Sequence, residues 1–261
     1  MATILEAKGL SKSFGAVTAA NDINVRVEQD SVVGLIGSNG AGKTTFINMV
    51  TGYLKPSAGK ILYQERDITG LQPRQITRLG IGRSFQIPQL FNTMSVYENI
   101  RVGVGIAARS ATRLEPPSES FAHTQIDRLI EDFGLEGYRT QAAGLLPEGV
   151  RKSLDIAMAV AGRPRVLLLD EPTSGVSAEE KFRLMDMVMS ALATQRVTVL
   201  FVEHDMEIVS RYTHRILAFY EGRIIADGEP QQVLQHPEVR RYVIGEQLHP
   251  SGGREVSRAA D

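Results

Sequence analysis

The chain has 261 residues, no cysteine, and a net charge of −1 from 29 Lys plus Arg against 30 Asp plus Glu. That length can bury a sizeable core as one large domain or a domain with a subdomain, and near-neutral charge gives no electrostatic reason to expect a nucleic-acid partner. Without cysteine there is no disulfide framework and no thiolate chemistry; no apolar run approaches the ~20 residues of a membrane span, and no secretory signal is expected at the N-terminus.

In chain order, short strands are predicted at 4–8 and 23–27. Val32-Val33-Gly34-Leu35-Ile36 reads as a buried strand, and Phe46, Ile47, Met49 and Val50 recur at helical spacing. Between them stands Gly37-Ser38-Asn39-Gly40-Ala41-Gly42-Lys43-Thr44, followed by Thr45, which fits G-x-x-x-x-G-K-[ST]. A strand, a glycine-rich turn and a helix N-terminus together form an anion site, because backbone N–H groups and the helix dipole face the phosphates. Lys43 is placed to bridge β- and γ-phosphates, and the Thr44 hydroxyl to ligate Mg²⁺.

Further strands are predicted at 60–63 and 81–85, then a helical region over about 89–160. Within it, 107–123 is polar, holds Pro116-Pro117, and reads as an exposed loop or flexible connection. The β/α pattern returns with a strand at 166–169. A helix follows with Phe182, Met185, Met189 and Leu192 on one face, then a strand at 197–202. The segments 215–220 and 223–226 around Glu221-Gly222 read as a hairpin, and Pro230 and Pro237 each open a short helix. The segment 249–261 reads as a disordered tail after a single domain spanning 1–248. Buried strands alternating with helices predict an α/β fold: a P-loop core with a mixed sheet, an N-terminal β-subdomain and a helical subdomain.

Asp170 and Glu171 end the strand at 166–169, where an open α/β sheet places its ligand. Asp170 is the candidate for the Mg²⁺ complex and Glu171 for polarising the attacking water. His204 follows the strand at 197–202, placed for a γ-phosphate contact. Gln86 follows the strand at 81–85, placed for Mg²⁺ or the water. A solvated acid pair, a structural histidine and a loop amide are the plain alternatives for these three sites.

The order and spacing of Lys43, Gln86, a helical insert, Leu146-Pro147-Glu148-Gly149-Val150, Asp170-Glu171 and His204 resemble the ATP-binding subunit of an ABC transporter. The resemblance covers about 5–247. It implies ATP and Mg²⁺ as ligands, Phe14 as the ring stacked on adenine, and Gly149 as part of a signature that grips the nucleotide of a second ATPase chain. Arg83-Ser84-Phe85-Gln86, Leu90-Phe91, Met94 to Ile100, Glu203 to Met206 and Gly222 to Gly228 are similar to ATPases of branched-chain amino-acid importers, nearer the LivG type than its LivF-like companion. That implies membrane permease subunits, a second ATPase chain (a second copy or the companion), a periplasmic solute-binding protein as indirect partner, and a peripheral place on the cytoplasmic face of the inner membrane. It also implies permease docking over 86–100, where Phe85, Phe91 and Tyr97 serve either docking or core packing.

Two departures stand out. The signature, usually Leu-Ser-Gly-Gly-Gln in the family, has Pro147 and Glu148, so a hydroxyl and an N–H are missing and a carboxylate is added. Arg151 and Lys152 are the expected source of compensating charge. After Pro172, Ser177 stands where many relatives have aspartate. Among rival readings, a switch GTPase lacks its Asn-Lys-x-Asp run, and a soluble ABC protein lacks its second ATPase domain or coiled-coil insert. A lipopolysaccharide-export ATPase shares the overall plan.

Overall fold

A computed structural model describes residues 2–110 and 119–245, with side chains left aside at 107–110. Two long strands, β1 (Thr3–Phe14) and β2 (Val17–Glu28), form an antiparallel hairpin. After β3 (Val32–Ile36) and α1 (Lys43–Val50), strands β4 (Ala58–Tyr63) and β5 (Arg66–Asp67) complete a four-stranded sheet in the order β2-β1-β4-β5. Helix α2 (Pro73–Leu79) leads into β6 (Ile81–Ser84). Three helices follow: α3 (Val96–Ser110), α4 (Glu119–Asp132) and α5 (Glu148–Ala161). The rest alternates β7 (Val166–Asp170), α6 (Ala178–Thr194), β8 (Thr198–Val202) and α7 (Met206–Tyr212) before the hairpin of β9 (Arg215–Tyr220) and β10 (Arg223–Gly228). Short α8 (Pro230–Gln235) and α9 (Pro237–Val239) come last, α9 running into a π-helical turn at Arg240–Ile244.

The second sheet has the order β10-β9-β3-β8-β7-β6, parallel except for the β9–β10 hairpin. Its strands are covered on both faces, which is why they read as continuous apolar runs instead of alternating ones. Alternation reappears in where each side chain goes. Leu167, Leu169, Val199 and Phe201 pack with α3 to α6, whereas Val166, Leu168, Leu200 and Val202 pack with α1 and the first sheet. Neighbouring strands pair Ser84 with Leu169, Asp170 with Val202, and Leu35 with Val202. This register brings four strand ends to one line, and the loops after them carry Gln86, Glu171, His204 and the glycine-rich turn.

Several predicted elements are corrected. The polar stretch 107–123 is not all connection: α3 runs to Ser110 and α4 starts at Glu119, so helical hydrogen bonding claims both flanks. Its middle, and the tail 249–261, lie outside the described residues. The strand at 81–85 ends at Ser84, because the Phe85 amide bonds the Asp155 carboxylate instead of a sheet partner. On α6 the fully buried face is Leu184, Met185, Val188, Ala191 and Leu192, with Phe182 and Met189 only packed at its edge. Among the described residues no helix is long and apolar enough to cross a membrane.

Candidate active site

The glycine-rich turn is held tightly from behind. Gly42 caps α1 with φ 106°, and a Cβ there would sit 2.6 Å from the Ala19 carbonyl oxygen of β2. A Cβ on Gly37 would sit 2.5 Å from the Phe219 carbonyl of β9. Both positions exclude side chains for steric reasons, and Gly42 also needs the left-handed backbone that glycine adopts without penalty. The Gly222 amide donates to the Ala41 carbonyl at 2.9 Å, and the Asn21 amide donates to Gly222 at 2.8 Å. The β9–β10 turn therefore buttresses the P-loop, a task its sequence alone did not reveal.

Lys43 is 5% exposed, and its ammonium donates to the carbonyls of Gly37 at 2.6 Å and Ser38 at 3.0 Å. Burial pushes its pKa down, and the charges of Glu171 and Asp170 oppose that shift. Those two acids therefore stand close enough to Lys43 to feel its charge. Ser38, Asn39, Gly40 and Thr44 are exposed, Thr45 is half-buried and Ala41 is buried. The exposed loop and the N-terminus of α1 thus leave backbone N–H groups and the helix dipole open to a polyphosphate.

Asp170 closes β7, and its Oδ2 accepts from the Arg83 guanidinium at 2.7 Å. Arg83 also donates to Asn48 Oδ1 at 2.6 Å, and its guanidinium lies over the rings of Phe85 and Tyr53. Asn48 is one turn beyond Thr44 on α1, so Arg83 fastens Asp170 to the same helix that carries Thr44. Among the described residues no cluster of three His, Asp or Glu forms a cation site by itself. The oxygen donors of Thr44, Asp170 and Gln86, with a single carboxylate among them, fit Mg²⁺ that arrives bound to phosphate oxygens, since such an ion needs only one or two carboxylates beside the phosphates and water.

Glu171 sits one residue past β7 with φ 50°, a left-handed backbone unusual for a glutamate. Its Oε2 accepts from Gln86 Nε2 at 2.7 Å, and its Oε1 lies 2.9 Å from His204 Nε2. The three predicted residues from three strand ends therefore form one hydrogen-bonded cluster. His204 is held in turn by Glu203, a buried carboxylate that accepts from the His204 amide at 3.2 Å and from the Thr173 amide and hydroxyl at 2.9 and 2.6 Å.

Phe14 is 52% exposed at the tip of the β1–β2 hairpin, with the Lys12 ammonium 5.1 Å above its ring. The hairpin reaches the P-loop through the contact between Ala19 and Gly42. Gly149 lies on α5 near Val176. The expected charge compensation at the signature is corrected for Lys152 only, since the Arg151 guanidinium pairs with the Glu148 carboxylate. Lys152 is 1% exposed with its ammonium turned inward, and Arg151 donates to the Ala143 carbonyl at 2.8 Å and lies 3.8 Å from Glu148. Ser177 acts as the N-cap of α6, accepting from the Glu180 amide. Of the three aromatics, Phe91 is exposed, while Phe85 and Tyr97 are half-buried, Tyr97 stacked on His123.

Reasoning from sequence gave Lys152 a different role, missed Asp155 and the structural part of Glu203, and used Arg83 only as a pattern letter. One signal was available for two of them: Lys152 and Asp155 lie on the helical stripe that also holds Ile156 and Val160.

A family description for the ABC transporter matches residues 20–174. The chain belongs to the ABC transporter family. This ABC transporter chain is 36% identical over 250 residues to the high-affinity branched-chain amino acid transport ATP-binding protein BraF of Pseudomonas aeruginosa, spanning 93% of this chain and 98% of that one. The corresponding protein LivG of Escherichia coli is 34% identical over the same shares of the two chains. Among solved structures, the ADP conformation of MJ1267, an ATP-binding cassette of an ABC transporter, superposes with a TM-score of 0.82 at 29% identity, covering 94% of this chain and 100% of that one. The predicted fold class, an α/β P-loop core of ABC ATPase architecture, is therefore the observed one.

Proposed function

We infer that this chain binds and hydrolyses ATP to drive a membrane importer of branched-chain or related amino acids. The observation that carries the reading is Glu171, held between Gln86 and His204 at the sheet edge beside Lys43. The likeness to BraF and LivG supports the choice of solute class.

The P-loop amides of Gly37 to Thr45 and the Lys43 ammonium hold the phosphates, and Phe14 offers its exposed ring to the base. Lys43 and His204 stabilise charge at the γ-phosphoryl group, where positioning and electrostatics supply most of the catalysis. Glu171 accepts a proton from, and orients, the attacking water; Gln86 and His204 fix which way its two oxygens point. Bound Mg²⁺ supplies Lewis-acid neutralisation of phosphate charge, with Thr44, Asp170 and Gln86 as the residues that would hold its complex. A second ATPase chain supplies its signature to this site, and Gly149 with its neighbours serves the partner's site. Permease docking falls on 86–100, where Phe91 is exposed and Gln89 borders a cleft of about 460 Å³ that runs between α2, α3 and α5.

Co-expression with permease subunits, purification, and reconstitution into vesicles test this reading. ATP hydrolysis stimulated by a binding protein loaded with leucine, isoleucine or valine is the expected result. Stimulation by lipopolysaccharide-export partner subunits instead, or no response to the loaded binding protein, would overturn it.

A further inference from the structure

Helix α5 opens at the signature with Glu148 and carries two charged side chains into the protein interior. Lys152 is 1% exposed and Asp155 5%, and three residues of separation put them on one helix face. Asp155 Oδ2 accepts from the Ser84 hydroxyl at 2.7 Å and the Phe85 amide at 3.1 Å, and its Oδ1 accepts from the Gln89 amide at 2.8 Å. The Lys152 ammonium donates to the Gln86 carbonyl and, at 3.3 Å, to the Glu171 carbonyl. A lysine is seldom buried this fully, and its desolvation is costly. Burial pushes Lys152 down and Asp155 up in pKa, which marks both as groups set in place against their solvation preference. What they hold is the backbone of 84–89 together with Glu171, whose left-handed φ of 50° needs outside support.

We propose that Lys152, seconded by Asp155, is a positioning residue that fixes the backbone of Gln86 and Glu171 and ties both to the signature end of α5. The inference rests on the roles given above to Gln86 and Glu171. Its consequence is that a shift of α5 at the signature alters the Gln86–Glu171 pair directly, because one ammonium touches both backbones. If Lys152 only filled space, its loss would lower stability and leave turnover per folded molecule unchanged.

The test uses the full-length protein assembled with the subunits it co-purifies with. Lys152→Met keeps the length of the side chain and removes the ammonium. It is expected to lower kcat roughly 10–100-fold, the effect of a small misplacement of a reacting group. The KM for ATP and equilibrium binding of a fluorescent ATP analogue are expected to stay within about twofold. Lys152→Arg, which retains donors, is expected to recover part of the loss. Unchanged kcat per folded molecule in Lys152→Met, or kcat and ATP binding lost together, would overturn the proposal. Should Lys152→Met not fold, Asp155→Asn carries the same test, with reduced kcat and retained binding expected and unchanged kcat against it. Glu171→Gln is measured in parallel: full turnover there sinks the role of Glu171, whereas its loss beside an active Lys152→Met sinks only the positioning role.

Discussion

The Gln86 amide and the His204 ring grip opposite oxygens of the Glu171 carboxylate, at 2.7 and 2.9 Å. A carboxylate with both oxygens engaged is aimed, and an aimed base is what water activation needs. Glu171→Gln should keep ATP binding, lose turnover by roughly 10²-fold or more, and accumulate a closed dimer with ATP. Phosphate release, analogue binding and size-exclusion chromatography check the three parts. Wild-type turnover would remove Glu171 from the mechanism.

The Arg83–Asp170 pair is nearly solvent-free, with side chains 9% and 8% exposed. Removing one partner of such a pair leaves the other charge buried, at about 3–5 kcal/mol. Arg83→Met should therefore lower the unfolding free energy by about that amount, and adding Asp170→Asn should cost less than the sum of the two single changes. A urea-denaturation double-mutant cycle measures it; strict additivity would mean the two residues do not support each other.

Gly42 and Gly40 both have positive φ, 106° and 80°, yet only Gly42 is crowded by backbone. Gly40→Ala should cost about 1 kcal/mol for its backbone conformation alone. Gly42→Ala should cost more, since its Cβ would push the P-loop off β2, and ATP affinity should fall with it. Equal effects of the two substitutions on stability and on ATP binding would argue against the close approach of Ala19.

Burial lowers the pKa of Lys43 in the nucleotide-free protein. A bound polyphosphate favours the charged ammonium and raises that pKa again. The lysine therefore takes up protons when ATP binds at alkaline pH, and affinity falls as pH rises through the lowered pKa. Calorimetry in two buffers of different ionisation enthalpy reads the uptake. Lys43→Met should abolish it, and zero uptake in the unaltered protein would contradict the assignment.

Pro147 caps α5 without an N–H, and Glu148 puts a carboxylate in its first turn. That charge opposes the positive end of the helix dipole, the feature that attracts phosphate. We expect Pro147→Ser with Glu148→Gly to raise ATPase activity of the assembled complex about 2–5-fold, the rate equivalent of ~0.3–1 kcal/mol. An unchanged rate would show that the signature is not weakened by these residues.

Much of this protein is local in the chain and so was legible as sequence. The strand at Val32–Ile36, the glycine-rich turn and α1 are contiguous, and the steric and dipolar reasons for that arrangement act over a few residues. Asp170, Glu171 and His204 were legible because each follows an apolar run that a doubly covered sheet requires. Tertiary structure decided the rest. The pairing register brought Gln86, Glu171 and His204 within hydrogen-bond reach from three separate strands, a relationship no spacing encodes. Only packing showed that Lys152, expected to serve the signature with its charge, is buried and turned toward Gln86 and Glu171. Sequence pattern specifies which residue types stand at a strand end or on a helix face. Which of them lose their solvent, and what they bond in exchange, depends on the elements folded against them.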